Sequence, residues 1–377
     1  MYIRDGVVVV NNKIDNKLFL YDKNSHLEYA INEGMFDILE RIDHKREVDS
    51  DILQQLIDLR ILTEEEQRFC NKTKVIDDYN MSRIFIECTS QCNLRCKHCY
   101  GDFKIENADS LRIEKFEEIL AEAAKLNIYQ VDITGGEPLL HRDFEKMCQL
   151  LFKYGMLTHI FTNLTVCDDI TIEIIDKYGI KTVITSIESL TPTIHDEFRG
   201  MKGAFNKTIE NIFKLKEKGI EVKVNIVIGE HNYSEVIKII DYFNNKGVDC
   251  VVDITTPWGR AQKGSDYSEL VLSLFKLGLK MPDMRENCGV GERMIFVSSA
   301  GKVYPCPNML ESQFLLGDID VGLNLEDCFL KTFKLFEKFK CNIQCGRDCS
   351  GGCRARALLN EGSIYAKDKV FCDLFDK

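Results

Sequence analysis

Cys92, Cys96 and Cys99 fall within the eight-residue run Cys92-Asn93-Leu94-Arg95-Cys96-Lys97-His98-Cys99, directly after an apolar stretch of strand length. Three thiolates at this spacing on a loop can ligate three irons of a [4Fe–4S] cluster and leave the fourth without a protein ligand. An open iron is a site for chemistry. Taken singly, the same spacing also fits part of a zinc site or a plain electron-transfer centre. The next apolar run ends in Gly135-Gly136-Glu137-Pro138. At the carboxyl edge of a parallel sheet, such a turn stands where α/β proteins bind ligands. Its glycines let backbone approach a ligand, and Glu137 can hold a ligand's ammonium group. Alone it would be an ordinary strand-to-helix turn; beside three cysteines it reads as part of a site.

A second array holds Cys288, Gly301, Cys306, Cys341, Cys345, Cys349, Cys353 and Cys372, and includes Cys349-Ser350-Gly351-Gly352-Cys353. Its seven cysteines exceed one tetrahedral zinc site and fall one short of two. The other six of the sixteen, Cys70, Cys88, Cys148, Cys167, Cys250 and Cys328, lie among apolar neighbours and read as small buried hydrophobes. Thiols stay reduced in the cytosol, and the N-terminus has no signal-like segment, so the arrays are expected to ligate metal in a cytoplasmic protein.

The elements that must position these residues follow from hydrophobic pattern. Strand-like runs at Ile84–Cys88, Gln130–Thr134, Thr158–Thr162, Lys181–Ile187, Glu221–Ile228 and Asp249–Thr255 alternate with amphipathic stretches. One of these is Ser110–Leu126, with Ser110 as its expected N-cap. Six βα repeats predict an α/β fold with a parallel sheet, too short for a closed eight-unit barrel, which leaves a partial barrel or an open doubly wound sheet. Residues 1–80 read as a separate small domain. Strands are expected at Tyr2–Val10, Lys17–Tyr21 and His26–Ala30, with helices around Met35–Ile42 and Asp49–Leu59, the outline of a winged helix. Its 11 Lys and Arg against 17 Asp and Glu argue against DNA. After residue 280 short apolar pieces, glycines and cysteines predict a part held together by clusters more than by a large core.

The chain has 377 residues, 45% apolar, with formal charge −11. The acidic balance disfavours nucleic acid, which needs a basic surface to release counterions. Apolar runs of strand length predict no membrane span.

From about Ser82 onward the sequence resembles the radical S-adenosylmethionine superfamily. That resemblance implies a partial (β/α)6 barrel over residues 81–270. It also implies cleavage of S-adenosylmethionine, bound to the open iron of the Cys92, Cys96 and Cys99 cluster, to a 5′-deoxyadenosyl radical. Matching positions for the cofactor are Gly135, Gly136, Glu137 and Pro138, then Thr162 and Asn163, Ser186 and Glu188, and Arg199. By resemblance Glu188 bonds the ribose hydroxyls, Ser186 with Arg199 holds the methionyl carboxylate, and His98 and Tyr100 lie by the adenine. An arginine fork suits a planar carboxylate.

Residues 271–377 resemble the SPASM domain, which binds two auxiliary [4Fe–4S] clusters in radical enzymes acting on peptides. The resemblance gives one cluster to Cys341, Cys345, Cys349 and Cys372 and the other to Cys288, Cys306 and Cys353, whose fourth ligand is not visible. Three-residue gaps between Cys341, Cys345 and Cys349 depart from the family's usual spacing. Residues 1–80 resemble the PqqD-like element that captures leader peptides on a strand edge. Together these imply an oxidoreductase that matures a ribosomally made precursor peptide carrying a leader, by a crosslink such as a thioether from cysteine sulfur to carbon, with carbon–carbon crosslinking, epimerisation and decarboxylation as alternatives that the sequence does not separate from it. A low-potential donor, flavodoxin or ferredoxin, would supply electrons. Sulfatase maturases carry an aspartate where Pro307 stands, which makes that reading weaker. A non-catalytic electron carrier needs neither an open iron nor Arg199.

Overall fold

Four consecutive valines, Val7 to Val10, favour extended backbone because β-branched side chains pack well on a pleated surface. In the computed structural model they open β2 (Val7–Asn12), which pairs antiparallel with β3 (Lys17–Asp22). β4 (Leu27–Ala30) adds to β3, and β6 (Thr73–Ile76) runs parallel to β2 on its other side. The structure describes residues 1–12, 17–65, 73–76, 81–101, 103–106, 108–254, 259–261, 290–291, 293–337, 352–369 and 372. Cys288, Cys341, Cys345 and Cys349 lie outside these described residues.

The single strand expected over Tyr2–Val10 is broken. β1 (Tyr2–Ile3) pairs instead with β5 (Leu62–Thr63), and the chain turns at Gly6, whose φ is +86°. A Cβ there would meet the Phe152 ring at 2.8 Å, a constraint from a distant element. The helices α1 (Glu33–Asp43) and α2 (Ser50–Asp58) fall close to expectation, capped by Asn32 and Asp49. Val7, Val9 and Leu20 face Phe36, Leu39 and Leu56 of these helices, while Val8, Val10 and Tyr21 pack on Leu157. The sheet is therefore a layer between its own helices and the rest of the protein.

Six parallel strands follow in consecutive order: β7 (Arg83–Thr89), β8 (Gln130–Gly135), β9 (Leu157–Phe161), β10 (Thr182–Ser186), β11 (Glu221–Ile228) and β12 (Asp249–Ile254). Between them run α3 (Ile113–Lys125), α4 (Phe144–Lys153), α5 (Asp169–Lys177), α6 (Pro192–Arg199), α7 (Ala204–Glu217) and α8 (Val236–Asn244). One core cluster joins Ile84, Ile86, Val131, Ile133, Val183 and Val224 of the strands to Phe116, Leu151, Ile175, Leu215 and Phe243 of the helices. Because strand side chains alternate, Arg83, Phe85, Glu87, Asp132, His159, Ser186 and Asn225 point to the opposite, inner face. β12 and β7 do not pair, so the (β/α)6 array is open. Ser110 does not cap α3, whose N-cap is Arg112; its hydroxyl instead pairs with Thr89 Oγ1 at 2.8 Å.

The C-terminal part joins the same sheet. β13 (Met294–Val297) lies parallel to β7, and β14 (Lys302–Tyr304) and β15 (Gly317–Asp318) extend it antiparallel to nine strands. The helices α9 (Leu325–Glu337) and α10 (Arg354–Glu361) complete the described elements. A small apolar cluster of Met294, Met309, Phe314 and Ile364 surrounds Cys306, with Cys353 packed against it. No described helix is long and apolar enough to cross a membrane.

Candidate functional site

The loop after β7 carries Cys92, Cys96 and Cys99, and backbone bonds fix its course. Arg95 N donates to Arg199 O and Lys97 N to Phe198 O, each at 3.0 Å, so α6 grips the loop between its cysteines. Arg260 N donates to Cys99 O at 2.8 Å and its Nε to Cys96 O at 2.9 Å. Cys96 is buried, while Cys92 and Cys99 are half-buried. Burial pushes the Cys92 thiol up to about 12, so metal loading must displace its proton. Among the described residues no three His, Cys, Asp or Glu groups converge on one ion. A four-iron cluster does not ask for that, since each thiolate takes its own iron.

The turn after β8 docks against the start of this loop. Gly136 N donates to Thr89 O and Glu137 N to Gln91 O, both at 2.7 Å, and a Cβ on Gly135 or Gly136 would collide with the same two carbonyls. The glycines thus admit the cysteine loop's backbone. Pro138, itself buried, begins a 3-10 turn. Glu137 is fully buried and points into the protein. It accepts from Thr162 Oγ1 at 2.6 Å, Asn163 N at 2.7 Å and Leu139 N at 3.0 Å. Asn163 Nδ2 reaches Asn93 Oδ1 at 3.0 Å, and Asn93 Nδ2 reaches Thr165 Oγ1 at 2.8 Å. Glu137, Thr162 and Asn163 therefore pin the carboxyl ends of β8 and β9 to the cysteine loop.

Across the opening, Arg199 at the end of α6 is buried, with Nη1 3.3 Å from Cys96 Sγ and Nε 3.3 Å from Glu188 Oε1. Burial would lower the Arg199 pKa, but Cys96 and Glu188 outweigh it and keep the guanidinium charged. Burial would likewise raise Glu188; Arg199 and His98 bring it to about 2, helped by His231, whose Nε2 is 3.1 Å from Glu188 Oε2. His98 stacks on Phe198 and Phe198 on His231, with centroids 5.0 and 3.8 Å apart. Burial lowers His98 to about 4, so it is neutral near pH 7. Tyr100 donates to Glu87 Oε2 at 3.2 Å. Ser186 ends β10 in register with Asn225 on the inner face.

Three buried polar atoms here have no hydrogen-bond partner among the described residues: His98 Nδ1, Glu188 Oε1 and Asn225 Oδ1. The Arg199 contact to Glu188 Oε1 is an ion pair out of hydrogen-bond alignment. Buried polar atoms are normally satisfied. Three orphans beside a thiol loop, with a charged guanidinium and carboxylate, suit a ligand bearing a carboxylate, hydroxyls and a heteroaromatic ring next to an iron–sulfur cluster.

Residues 86–243 match the family described as the Radical SAM superfamily. Those residues carry the likeness to a radical SAM domain. AlbA of Bacillus subtilis, described as an antilisterial bacteriocin subtilosin biosynthesis protein, is 29% identical over 62% of this chain and 56% of its own length. The chain thus spans little more than half of that relative. An AdoMet-dependent heme synthase of Methanosarcina barkeri is 27% identical over 76% of this chain and 94% of its own. Crystal structures of Streptococcus suis SuiB, bound to S-adenosylmethionine or to its precursor peptide SuiA, share the fold. Each has TM-score 0.67 and 17% identity, over 98% of this chain and 99% of that one.

The domain's spacing of Cys92, Cys96 and Cys99, with Gly135 to Pro138 behind them, was legible in sequence. His231, Asn225, Arg260 and Glu87 belong to no motif of the sequence. A signal existed for two of them: Asn225 interrupts the apolar run of β11, and His231 follows that strand's carboxyl end. In the C-terminal part, Cys353 caps α10, its sulfur accepting from Arg356 N at 3.4 Å, a place that favours thiolate. Arg356 pairs with buried Asp368, whose Oδ2 accepts from Cys353 N at 2.8 Å. Cys372 N donates to Asp368 O at 2.9 Å.

Proposed function

We propose that this protein matures a ribosomally made precursor peptide, abstracting hydrogen with a 5′-deoxyadenosyl radical and installing a crosslink, in the leading form a thioether from cysteine sulfur to carbon. When bound, the cluster and S-adenosylmethionine supply the electron and the radical. The chain's own residues hold and orient. Cys92, Cys96 and Cys99 would hold the cluster, Arg199 with Ser186 the methionyl carboxylate, Glu188 the ribose hydroxyls, and His98 with Tyr100 the adenine. Gly135, Gly136, Glu137 and Pro138, with Thr162 and Asn163, would keep the cysteine loop in register. The observation that carries the reading is the buried Arg199 between Cys96 and Glu188 with unsatisfied His98 and Asn225 around it.

For the peptide substrate, support comes from likeness to SuiB over nearly the whole chain, the first 80 residues included. Those residues would act as the leader-recognition element, since among the described residues β4 is an edge strand with an unpaired side, and an extended peptide can add to such an edge. Two auxiliary clusters would use Cys341, Cys345, Cys349 and Cys372, and Cys288, Cys306 and Cys353, the latter with an iron open to a substrate thiolate. A flavodoxin or ferredoxin would reduce them in the cytoplasm. The heme synthase relative favours a second reading, radical chemistry on a tetrapyrrole.

The test is anaerobic reconstitution with S-adenosylmethionine and dithionite. Wild type should release 5′-deoxyadenosine, and Cys92, Cys96 and Cys99 replaced together by Ala should release none. A short cysteine-bearing peptide encoded beside the gene should lose two mass units on crosslinking. A mass change in a supplied tetrapyrrole, with the peptide untouched, would overturn the peptide reading.

A further inference from the structure

Beyond β11 the chain turns back over its own strand end, where Tyr233 N donates to Gly229 O at 3.0 Å. Asn232, fully buried, accepts from Gly229 N at its Oδ1 and donates from Nδ2 to Val227 O, both at 3.0 Å, which fixes the turn from inside. A Cβ on Gly229 would stand 2.8 Å from His231 Nδ1, so the glycine is what admits the imidazole. The ring comes to rest on Phe198, with centroids 3.8 Å and planes 18° apart, and Phe198 O in turn holds Lys97 N of the cysteine loop. The turn thus sets where the imidazole presents its nitrogens.

His231 Nε2 lies 3.1 Å from Glu188 Oε2. Glu188, beside the Arg199 guanidinium, is ionised and can only accept, so the imidazole is the donor. That leaves Oε1 buried and without a hydrogen bond, 3.3 Å from Arg199 Nε. A guanidinium and a carboxylate ordinarily meet through two parallel N–H···O bonds, and burial favours that closed form because a buried pair needs its hydrogen bonds. Arg199 commits Nη1 to Cys96, which leaves the edge formed by Nε and Nη2 in reach of a carboxylate, yet only Nε approaches Glu188. The donor at Oε2 opposes closure. Turning the carboxylate square to Arg199 would strip His231 of its acceptor.

We infer that His231 is a positioning residue: by holding Glu188 Oε2 it keeps the Glu188–Arg199 pair open, so that Oε1 remains for the ribose hydroxyls and the guanidinium for the methionyl carboxylate of S-adenosylmethionine. A closed pair would satisfy the two groups with each other, and a ligand would have to break it before binding. An open pair is preorganised and spares that cost. The inference rests on the cofactor reading above and adds to it a residue that acts through Glu188.

The test uses two substitutions that separate the ring from the donor. His231→Phe keeps an aromatic ring on Phe198 and loses the N–H; His231→Gln loses the ring and keeps an amide donor. In anaerobic calorimetry of full-length reconstituted protein, His231→Phe should bind S-adenosylmethionine about tenfold more weakly than wild type, a difference near 1.4 kcal/mol. His231→Gln should bind it more tightly than His231→Phe. Wild-type affinity in the Phe variant, or a Gln variant no tighter than the Phe variant, overturns the inference, since the N–H would then carry no weight. Crystal structures of the apo-protein read the same point without cofactor. Arg199 and Glu188 should close to two N–H···O bonds in His231→Phe and stay open in wild type; a pair that stays open in the variant overturns the inference. Failure of wild type itself to bind S-adenosylmethionine would sink the cofactor reading instead, and the apo structures alone would then decide whether His231 holds the pair open.

Discussion

Arg199 bridges to Cys96, its Nη1 3.3 Å from the sulfur, while its Nε faces Glu188 3.3 Å away. One buried cation thus holds a cysteine of the loop after β7 and a carboxylate just beyond β10 in a fixed relation before any ligand arrives. Removing it leaves Glu188, fully buried, without its main counter-charge. Breaking one side of a buried pair costs about 3–5 kcal/mol. Arg199→Met should lower apo-protein stability by that order in urea unfolding, whereas Arg199→Lys should recover part of it. Lysine lacks the two-pronged fork, so Arg199→Lys should still weaken S-adenosylmethionine binding about tenfold or more by calorimetry. Wild-type stability in Arg199→Met would refute the coupling.

Gly136 supplies a cleaner lesion. Any Cβ there runs into the Gln91 carbonyl, which is backbone and cannot swing aside. Gly136→Ala should displace the start of the cysteine loop. The expected result is a folded protein by circular dichroism that incorporates less iron, with the loss at the radical cluster. Full iron content and normal cofactor cleavage would mean that the loop accommodates the methyl group.

These two positions mark what the sequence makes legible. Apolar residues at every second position mark β7 and β11 to within about a residue, and the glycines and cysteines announce themselves by spacing. Contacts between distant segments are not announced. Gly6 turns the chain where Phe152 approaches, Ser110 bonds Thr89 instead of capping α3, and β13 joins β7 from more than two hundred residues away. Glu87 carries no signal in sequence, because one acid in a strand has no local partner. Only folding brings it Tyr100 at 3.2 Å and Ser299 Oγ at 2.6 Å, tying the cysteine loop to the turn that leads to Cys306.

Lys23 makes the docking of the first domain dependent on pH. Its ammonium is fully buried, donates to Leu151 O at 3.1 Å and lies 5.8 Å from the Phe152 ring centre. Burial lowers its pKa to about 7. In the unfolded chain the value is about 10.4, so between these limits unfolding takes up a proton. Stability therefore rises with pH across that window, by up to about 1.4 kcal/mol per unit, and is lost on descending toward pH 7. Lys23→Met removes the effect. Chemical unfolding between pH 7.5 and 9.5 should show a steeper rise for wild type than for Lys23→Met; parallel curves would mean the amine stays charged.

Cys328 decides between two accounts of the cluster assigned to Cys288, Cys306 and Cys353, one completed by a fourth thiolate and one with an open iron. Cys328 follows Gly317 in sequence closely enough to reach such a site, but its packing is elsewhere. It is 2% exposed, within the main core formed by the barrel strands and helices, whereas Cys306 and Cys353 share the separate C-terminal cluster. A Cβ on Gly317 would meet its sulfur at 2.8 Å, so the glycine leaves room for a packed thiol. Burial pushes that thiol up to about 11, which disfavours a thiolate. Cys328→Ala should therefore keep the wild-type iron and sulfide content per chain, losing about 1 kcal/mol or slightly more from the vacated volume. Loss of close to one cluster's iron would make Cys328 a ligand and remove the open position proposed for a substrate thiolate.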